Sequence, residues 1–286
     1  MLKKLSYIFY RIIRFSDKFF YLITKKNFLF SFKDFIEEDS YKSIKILDKK
    51  INFFIPNQIT KWRVDTYFSK EPETLETIES FQSEKKIIFW DIGSNIGLYS
   101  IYAALKHANI EIISFEPSTI NLRVLSRNIS INNFENKIKI FQIPLTDKSN
   151  EFQMMNEKRL IEGAALNSFG KNRDFEGKIF SPKNKYQLFG TSINSLIDNN
   201  ILKTPNYIKI DVDGIEHLIL KGADKYLKDL NLKSLSIEIN ENFKEQFEIV
   251  SKIMKENAFK ILHKKNAYQS KTRKEFDKTF NYIYVR

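Results

Sequence analysis

Apolar and polar residues alternate along the chain in two rhythms from residue 87 onward. Short apolar runs bounded by turn residues predict buried strands, whereas apolar residues three or four positions apart predict helices with one buried face. The predicted strands cover residues 87–91, 110–115, 138–143, 207–210, 232–239, 259–262 and 281–285. The predicted helices between them begin near residues 98, 118, 191, 214 and 243. Strands that alternate with helices indicate an α/β fold with a doubly wound, mostly parallel, Rossmann-like sheet.

Three further segments lie outside this alternation. Residues 41–60 alternate apolar and polar positions and predict a β-hairpin that turns near residues 48–50. A helix is predicted from Pro72, because proline is well tolerated in the first turn of a helix. Residues 147–190 are polar and contain four glycines, which predicts an insertion of short strands and loops. We expect this insertion to overhang the sheet as a lid over a bound substrate.

Residues 1–36 repeat apolar and aromatic residues at helical spacing, interrupted by lysines and arginines. No apolar run approaches the roughly 20 residues of a membrane-spanning helix, and no signal-peptide pattern is present. The preferred interpretation is a helical lid packed on the main domain, and the alternative is an amphipathic helix on an anionic membrane surface. With the hairpin, these helices form a predicted N-terminal extension over residues 1–60, and the main domain covers residues 61–286.

The composition excludes several kinds of chemistry. The 286 residues include no cysteine, which excludes disulfides, thiolate metal sites and cysteine nucleophiles, and which fits a cytoplasmic location. The net charge of +12 fits a nucleic acid, an anionic membrane or an acidic substrate. A general compositional bias is the preferred explanation, because the chain is rich in lysine, asparagine, isoleucine and phenylalanine at the same time.

The first predicted strand of the sheet runs into a glycine-rich turn with the pattern D-x-G-x-N-x-G over residues 91–97. Glycines let a ligand approach the backbone, and the following helix offers free N–H groups. A dinucleotide fingerprint, G-x-G-x-x-G, places a pyrophosphate at such a turn. An acid at the strand end instead suits a ligand with positive charge, such as the sulfonium and amino groups of S-adenosylmethionine (AdoMet). Asp91, Gly93, Asn95 and Gly97 therefore predict an AdoMet site rather than an NAD site.

Ligands of doubly wound sheets bind at the carboxyl ends of the strands, so polar residues there are candidates for contacts. Glu116 ends the second predicted strand and can accept hydrogen bonds from both hydroxyls of a ribose. The alternative for Glu116 is an acid placed by the dipole of the next helix. Gln142 and Ile143 end the third strand, and we expect them to contact an adenine.

A second group of ionisable residues follows the strand predicted at residues 207–210. Its members are Lys209, Asp211, Asp213, Glu216 and His217. A helix cap, an acid in a first helical turn and a surface histidine are the structural alternatives. Lys209 and Asp211 lie on the same side of one strand. Burial at the sheet edge shifts pKa values, which suits proton transfer, and Glu238 on the next strand is expected nearby.

Several motifs occur in a fixed order. They are E-P-E-T at residues 71–74, W-D-I-G-S-N-I-G-L-Y-S at 90–100, F-E-P-S at 115–118, N-I at 128–129, N-N at 132–133, G-A at 163–164, S-F-G at 168–170, I-K-I-D-V-D-G-I-E at 208–216 and L-K-G-A at 220–223. With these motifs the chain resembles the FkbM-type AdoMet-dependent methyltransferases from about residue 62 to residue 262. One departure is Asp213, where many members have glutamate.

The resemblance implies a class I methyltransferase fold and transfer of the AdoMet methyl group to a hydroxyl of a sugar, glycan or secondary metabolite, as in polysaccharide biosynthesis. It implies that the turn at residues 91–97 holds the methionyl end and that Glu116 holds the ribose. It also implies that Asp211 and Glu216 lie beside the transferred methyl group.

A hydroxyl is a weak acid, so its methylation needs a base or a metal ion. Asp211 is the first candidate for the base, and Glu216 and His217 are the alternatives. Lys209 is a further candidate catalytic residue. Catalysis without a metal is the main expectation. The alternative is a divalent cation held by Asp211, Asp213 and Glu238, because oxygen ligands suit magnesium or calcium.

Three other functions compete with this hypothesis. A nucleic-acid methyltransferase would explain the net charge, but amino-group methylases carry D/N-P-P-Y/F where residues 211–214 read D-V-D-G. The missing cysteine also excludes a pyrimidine-C5 mechanism, so a nucleic acid is not the expected partner. A membrane-bound scaffold without catalysis would keep the fold and lose AdoMet binding. An NAD oxidoreductase conflicts with the spacing of the turn.

Overall fold

The computed structural model describes residues 1–82, 85–266 and 276–286. The N-terminal part contains α1 (Leu2–Thr24), α2 (Leu29–Glu38), β1 (Tyr41–Ile46), β2 (Lys49–Phe54), α3 (Gln58–Asp65) and α4 (Pro72–Glu79). The central part contains β3 (Ile87–Ile92), α5 (Leu98–Lys106), β4 (Ile110–Phe115), α6 (Thr119–Ser130), β5 (Ile138–Phe141), β6 (Glu151–Glu157), β7 (Asn167–Phe169) and β8 (Asn184–Gly190). The C-terminal part contains α7 (Ile193–Asp198), β9 (Tyr207–Ile210), α8 (Glu216–Lys221), β10 (Ser234–Asn240), α9 (Lys244–Glu256), β11 (Lys260–Asn266) and β12 (Thr279–Val285).

Within the described residues, seven strands form one sheet in the order β5-β4-β3-β9-β10-β12-β11. Strand β12 runs antiparallel to both of its neighbours, and the other adjacent pairs are parallel. The strand order reverses direction at β3, which begins the sheet in sequence and lies next to the central strand, β9. The predicted α/β, doubly wound, mostly parallel sheet is therefore confirmed.

Burial explains why the hydrophobic pattern predicted the central strands well. All four residues of β9 and all seven of β10 are buried, and β3 is buried except at one partly exposed position. Apolar side chains on both faces give β3 and β9 nearly continuous apolar runs, apart from Asp91 and Lys209, whereas β10 alternates apolar residues with serine, glutamate and asparagine. Differences occur at the ends of elements. The helix predicted from residue 214 to 227 ends as α8 at Lys221, and β11 extends to Asn266 beyond the predicted residue 262.

A close contact between two turns fixes the carboxyl edge of the sheet. Gly93 has a φ angle of +87°, and a Cβ atom built on it would lie 1.9 Å from the carbonyl oxygen of Asp211. A side chain cannot fit there, so glycine lets the turn after β3 rest directly on the end of β9.

The insertion forms a separate small sheet, as predicted. Strands β7, β6 and β8 pair antiparallel in that order. Met155 and Phe169 pack into the core that covers one face of the main sheet. The insertion is thus anchored by apolar contacts, and its loop at residues 163–167 borders the carboxyl edge of the sheet.

The N-terminal extension contains the predicted hairpin, with its turn at Leu47 and Asp48, both of which have positive φ angles. Helix α1 contradicts the preferred interpretation of a packed lid. In α1, all of whose residues are described, Asp17 is the one buried residue and Ile13 is partly buried. No helix among the described residues is both long and apolar enough to span a membrane.

Candidate active site

An inner cavity opens at the carboxyl ends of β3, β4 and β9. Polar residues on its wall include Asn95, Glu116, Asn121, Asp211 and Asp213, and apolar residues include Phe115, Ile143, Met155 and Phe169. It therefore combines an apolar slot with a few convergent polar groups, which is typical of a small-molecule site. Its position at the reversal of strand order is where open α/β sheets bind ligands.

Glu116 lies at the bottom of this cavity and is 5% exposed. Its Oε2 accepts a hydrogen bond from the backbone N–H of Asn95 at 2.7 Å, and its Oε1 accepts one from the N–H of Ser118 at 2.9 Å. Burial raises the pKa of Glu116 to about 7, although the two N–H donors oppose this shift. The carboxylate is fixed in place, and further hydroxyl donors at this cavity would favour its ionised form.

Asn95 joins the glycine-rich turn to the insertion. It adopts a φ angle of +53°, and its Nδ2 donates to the carbonyl oxygen of Ala164 at 3.0 Å. Its Oδ1 is buried and has no hydrogen-bond partner among the described residues. A buried acceptor without a partner is costly, so this atom offers a place for a donor group of a ligand.

Three residues predicted to bind the cofactor do not line the inner cavity. Asp91 is fully buried, and its Oδ2 accepts a hydrogen bond from Ser100 Oγ at 2.6 Å inside the domain. Gly97 begins α5 in a left-handed conformation, and a Cβ there would lie 2.6 Å from Leu125 Cδ1, so packing explains this glycine. The side chain of Gln142 is exposed, whereas Ile143 lines the cavity. The expectation for Gln142 is corrected, because β5 ends at Phe141.

Lys209, which is buried, and Asp211, which is partly exposed, form an ion pair next to the inner cavity, with 2.9 Å between Nζ and Oδ2. Lys209 Nζ also lies 5.0 Å from the ring centre of Tyr99. Burial opposes ionisation of both groups, but Lys209, Lys70 and Arg63 hold the pKa of Asp211 below its usual value. Burial also opposes the charge of Lys209, yet the facing carboxylates keep its pKa above the usual value. The ion pair makes Asp211 a weaker base than its position at the strand end suggested.

Asp213 is a second carboxylate of the cavity, beside Glu116, whose pKa is raised toward neutral pH. Its Oδ2 accepts a hydrogen bond from the backbone N–H of Leu166 in the insertion at 2.6 Å. Burial, together with the charge of Asp211, raises the pKa of Asp213 to about 6. The sequence predicted only a helix cap or a metal ligand at Asp213. Its raised pKa could not be predicted, because the pKa depends on burial by the loop that covers the residue.

Glu216 and His217 are buried but do not line the cavity, which corrects their predicted roles. Glu216 accepts hydrogen bonds from the N–H groups of Val212 and Gly214 and from Gln246 Nε2. Burial raises its pKa to about 8. His217 is 2% exposed with its ring edge-on to Phe243, and burial lowers its pKa to about 4. Both residues begin α8, and Glu216 closes the loop before it.

Sequence reasoning missed one member of the carboxylate cluster. Among the described residues, Glu71, Asp211 and Glu238 offer oxygen atoms within 4.8 Å of one another. Asp213 is not in this group, so the predicted metal ligands Asp211, Asp213 and Glu238 are corrected. Glu71 is fully buried and forms an ion pair with Lys70. It belongs to the E-P-E-T motif at the predicted helix start.

A middle and an outer cavity lie next to the inner one and share lining residues with it. The middle cavity contains Arg63, Lys70, Tyr99 and Lys209, and shares Gly93, Asn95 and Asp211 with the inner cavity. The outer cavity has a volume of about 270 Å³ and contains Trp62, Arg63, Lys70, Arg159 and Leu166. Ala165 borders both the inner and the outer cavities. The loop held by Asp213 thus separates two sites.

The electrostatic character of the outer cavity is cationic. Among the described residues, no aspartate or glutamate lines it, whereas Arg63, Lys70 and Arg159 do. Arg63 uses its Nε to donate to the carbonyl oxygen of Gly163 at 2.7 Å. Trp62 is 43% exposed beside these groups. A flat aromatic ring with neighbouring cations suits a ring-shaped ligand that carries negative charge.

Comparisons with known proteins agree with the resemblance found in the sequence. A model of the methyltransferase FkbM domain matches residues 91–261. Methyltransferase sdnD from Sordaria araneosa is 25% identical over 154 residues, which cover 47% of this chain and 60% of that protein. The chain thus matches about three fifths of the length of this relative.

Two solved structures have a distant similarity to this chain. Precorrin-6y C5,15-methyltransferase from Geobacter metallireducens GS-15 has a TM-score of 0.43 and 13% identity, covering 76% of this chain and 86% of that one. Pyrococcus horikoshii TYW2 in complex with MeSAdo has a TM-score of 0.45 and 10% identity, covering 86% and 70%. Both scores are low, so the fold assignment rests on the strand order described above.

Proposed function

The chain belongs to the FkbM methyltransferase family, and we propose from this premise that it transfers the methyl group of AdoMet to a hydroxyl of a negatively charged saccharide. The observation that carries the proposal is that an inner cavity lined by groups suited to AdoMet lies next to a cationic outer cavity that contains Trp62, with Ala165 bordering both. The two cavities meet at Ala165, beside the loop that Asp213 holds.

The residues of the inner and middle cavities fit AdoMet. Glu116 is placed to accept hydrogen bonds from ribose hydroxyls, and the apolar wall that includes Ile143 and Phe169 suits an adenine. The unpartnered Oδ1 of Asn95 needs a donor. In the middle cavity, Arg63 and Lys70 would bind a carboxylate, and Asp211 would attract an ammonium group.

AdoMet supplies an activated methyl group when it is bound. The protein has to exclude water, align the acceptor oxygen and remove the hydroxyl proton. Asp213 is our candidate for the general base, because it lines the inner cavity and burial raises its pKa to about 6. Its Oδ2 is engaged by Leu166, so Oδ1 would receive the proton. Asp211 lies at the strand end where the sequence predicted it. Because it is paired with Lys209, we assign it to the ammonium group of the bound AdoMet rather than to the hydroxyl proton.

The acceptor class follows from the outer cavity. It combines one exposed tryptophan with three basic side chains, Arg63, Lys70 and Arg159. Arg159 and Arg63 would bind a carboxylate or phosphate, and Trp62 would pack against the C–H face of a sugar ring. An RNA substrate is the other candidate that the net charge of +12 supports.

The test combines AdoMet binding with a panel of acceptors. Calorimetry should show AdoMet binding to the folded protein, and Glu116→Ala should weaken it at least tenfold. Methyl-labelled AdoMet is then offered with uronic-acid oligosaccharides, with their carboxyl-reduced counterparts and with RNA. We expect label in the acidic saccharides as an alkali-stable ether. Absence of AdoMet binding would overturn the methyltransferase proposal, whereas label only in neutral sugars or in RNA would overturn the acceptor class alone.

A further inference from the structure

Helix α1 carries an apolar face that the rest of the protein leaves uncovered. At 100° per residue, one side of the helix collects Leu5, Ile8, Phe9, Ile12, Phe19, Phe20 and Ile23. Each of these side chains is at least 40% exposed. Four apolar residues of α2 are exposed as well, namely Phe30, Phe32, Phe35 and Ile36. So large an apolar surface on a soluble protein usually marks an interaction site.

The opposite side of α1 is basic. Residues 1–26 contain seven basic residues and one acid, and the basic ones are Lys3, Lys4, Arg11, Arg14, Lys18, Lys25 and Lys26. The acid, Asp17, is buried and forms hydrogen bonds within the helical hairpin. Its Oδ1 accepts hydrogen bonds from the N–H groups of Phe28 and Leu29, and its Oδ2 accepts one from Asn27 Nδ2. Its carboxylate therefore caps the start of α2 and fixes the bend between the two helices.

Partly exposed ion pairs also connect the helical hairpin to the catalytic domain. Glu37 at the end of α2 forms ion pairs with Arg127 at 2.7 Å and with Arg123 on α6. Arg127 in turn lies 4.1 Å from the ring centre of Phe54 on β2. Helix α6 follows directly after Glu116, so the hairpin has a defined position relative to the inner cavity.

We infer that α1 and α2 dock this enzyme on the surface of an anionic lipid bilayer. A bilayer surface satisfies both faces at once, because the aromatic and aliphatic side chains enter the acyl boundary and the long basic side chains reach the headgroups. A second copy could cover the apolar face but would bring two basic helices together. A nucleic acid would bind the basic face and leave the apolar face in water.

The helix geometry agrees with a position in the plane of the bilayer surface. A helix of 23 residues is about 35 Å long. It contains five basic residues, which prevents it from crossing the hydrocarbon core, and each of them adds attraction to anionic lipids. Docking would place the catalytic domain at a fixed orientation above the lipid headgroups.

The test uses the full chain and vesicles of phosphatidylcholine with about 30% phosphatidylglycerol, compared with phosphatidylcholine alone. Wild-type protein should sediment with the anionic vesicles, and binding should weaken several-fold when the salt concentration rises from 0.1 to about 0.5 M. The double variant Ile12→Ser/Phe19→Ser should bind at least tenfold more weakly. The matched control Tyr7→Ser/Tyr10→Ser changes two exposed residues outside the apolar face and should keep most of the binding.

Both variants should bind AdoMet and unfold thermally like the wild type, because the substituted side chains are exposed. Equal vesicle binding by the two double variants would overturn the inference. Failure of the wild-type protein to bind anionic vesicles would also overturn it. In that case, a dimer that Ile12→Ser/Phe19→Ser dissociates would assign the apolar face to a second copy, and RNA binding would assign the basic face to a nucleic acid.

Discussion

The ammonium group of Lys209 lies 2.9 Å from Oδ2 of Asp211, two residues further along the same polypeptide. This ion pair holds the pKa of Asp211 low, whereas burial and the neighbouring charge of Asp211 raise the pKa of Asp213 to about 6. The two carboxylates at this strand end therefore differ in pKa. Asp211 stays charged near neutral pH, whereas Asp213 can accept a proton.

Replacing Asp213 should affect turnover, and replacing Asp211 should affect AdoMet binding. We expect Asp213→Asn to lower kcat roughly 100-fold to 10,000-fold, the usual contribution of a general base. AdoMet affinity should change little. In the wild type, the rate should rise with pH through about 6, because Asp213 can accept a proton only when ionised. Full turnover by Asp213→Asn would contradict this assignment, and Asp211→Asn would then be the next candidate for the base.

AdoMet affinity should depend on pH through Glu116, whose pKa burial raises to about 7. Hydroxyl donors of the ligand favour the carboxylate, so a proton must leave Glu116 before binding. Affinity should therefore fall by about tenfold between pH 8 and pH 6. Calorimetry across this range checks it. Glu116→Gln should bind more weakly at all pH values and without this dependence; an equal pH dependence in the variant would assign the effect to another group.

Removal of divalent cations should leave activity unchanged. Glu71 and Asp211 belong to the carboxylate cluster, but each already forms an ion pair, with Lys70 and Lys209 respectively. The lysines therefore supply the charge that a cation would bring. Turnover is measured after dialysis against EDTA and again after addition of magnesium. A loss that magnesium reverses would show that the cluster binds a metal ion.

Arg159→Ala should raise KM for an acidic acceptor about tenfold, because the exposed guanidinium lines the outer cavity. KM for AdoMet and the melting temperature should stay unchanged. Lys185→Ala removes an exposed cation from β8 that does not line the cavity, and it serves as the control. The same loss of affinity in Lys185→Ala would point to long-range attraction by the net charge rather than to a site.

The sequence predicted the α/β class and the mostly parallel sheet because strand patterns and helix patterns alternate along the chain. Glu116 was identified because a strand end followed by a proline and a helix start defines its position within a residue or two. Glu71 was missed for the opposite reason. Its carboxylate joins Asp211 and Glu238 only through the path of a chain segment that lies outside the sheet, and no local pattern reports such a contact.

Burial and side-chain direction could not be predicted for the helix that follows β9. Glu216 and His217 belong to the same motif as Asp211, and their chemistry suggested a catalytic role. The structure turns both side chains into the interior, where Glu216 binds the N–H groups of Val212 and Gly214. Proximity in sequence thus did not ensure proximity to the cavity, because the loop reverses direction at Gly214, whose φ angle is +124°.

The contact of Gly93 with the carbonyl oxygen of Asp211 also limits how this enzyme can change. The turn that would hold AdoMet and the strand end that would meet the acceptor are in direct backbone contact, so neither can be redesigned without moving the other. The outer cavity is different, because Arg159 and Leu166 belong to the insertion. New acceptor preferences should therefore arise by substitutions in the insertion, and selections for altered substrates should begin with libraries there.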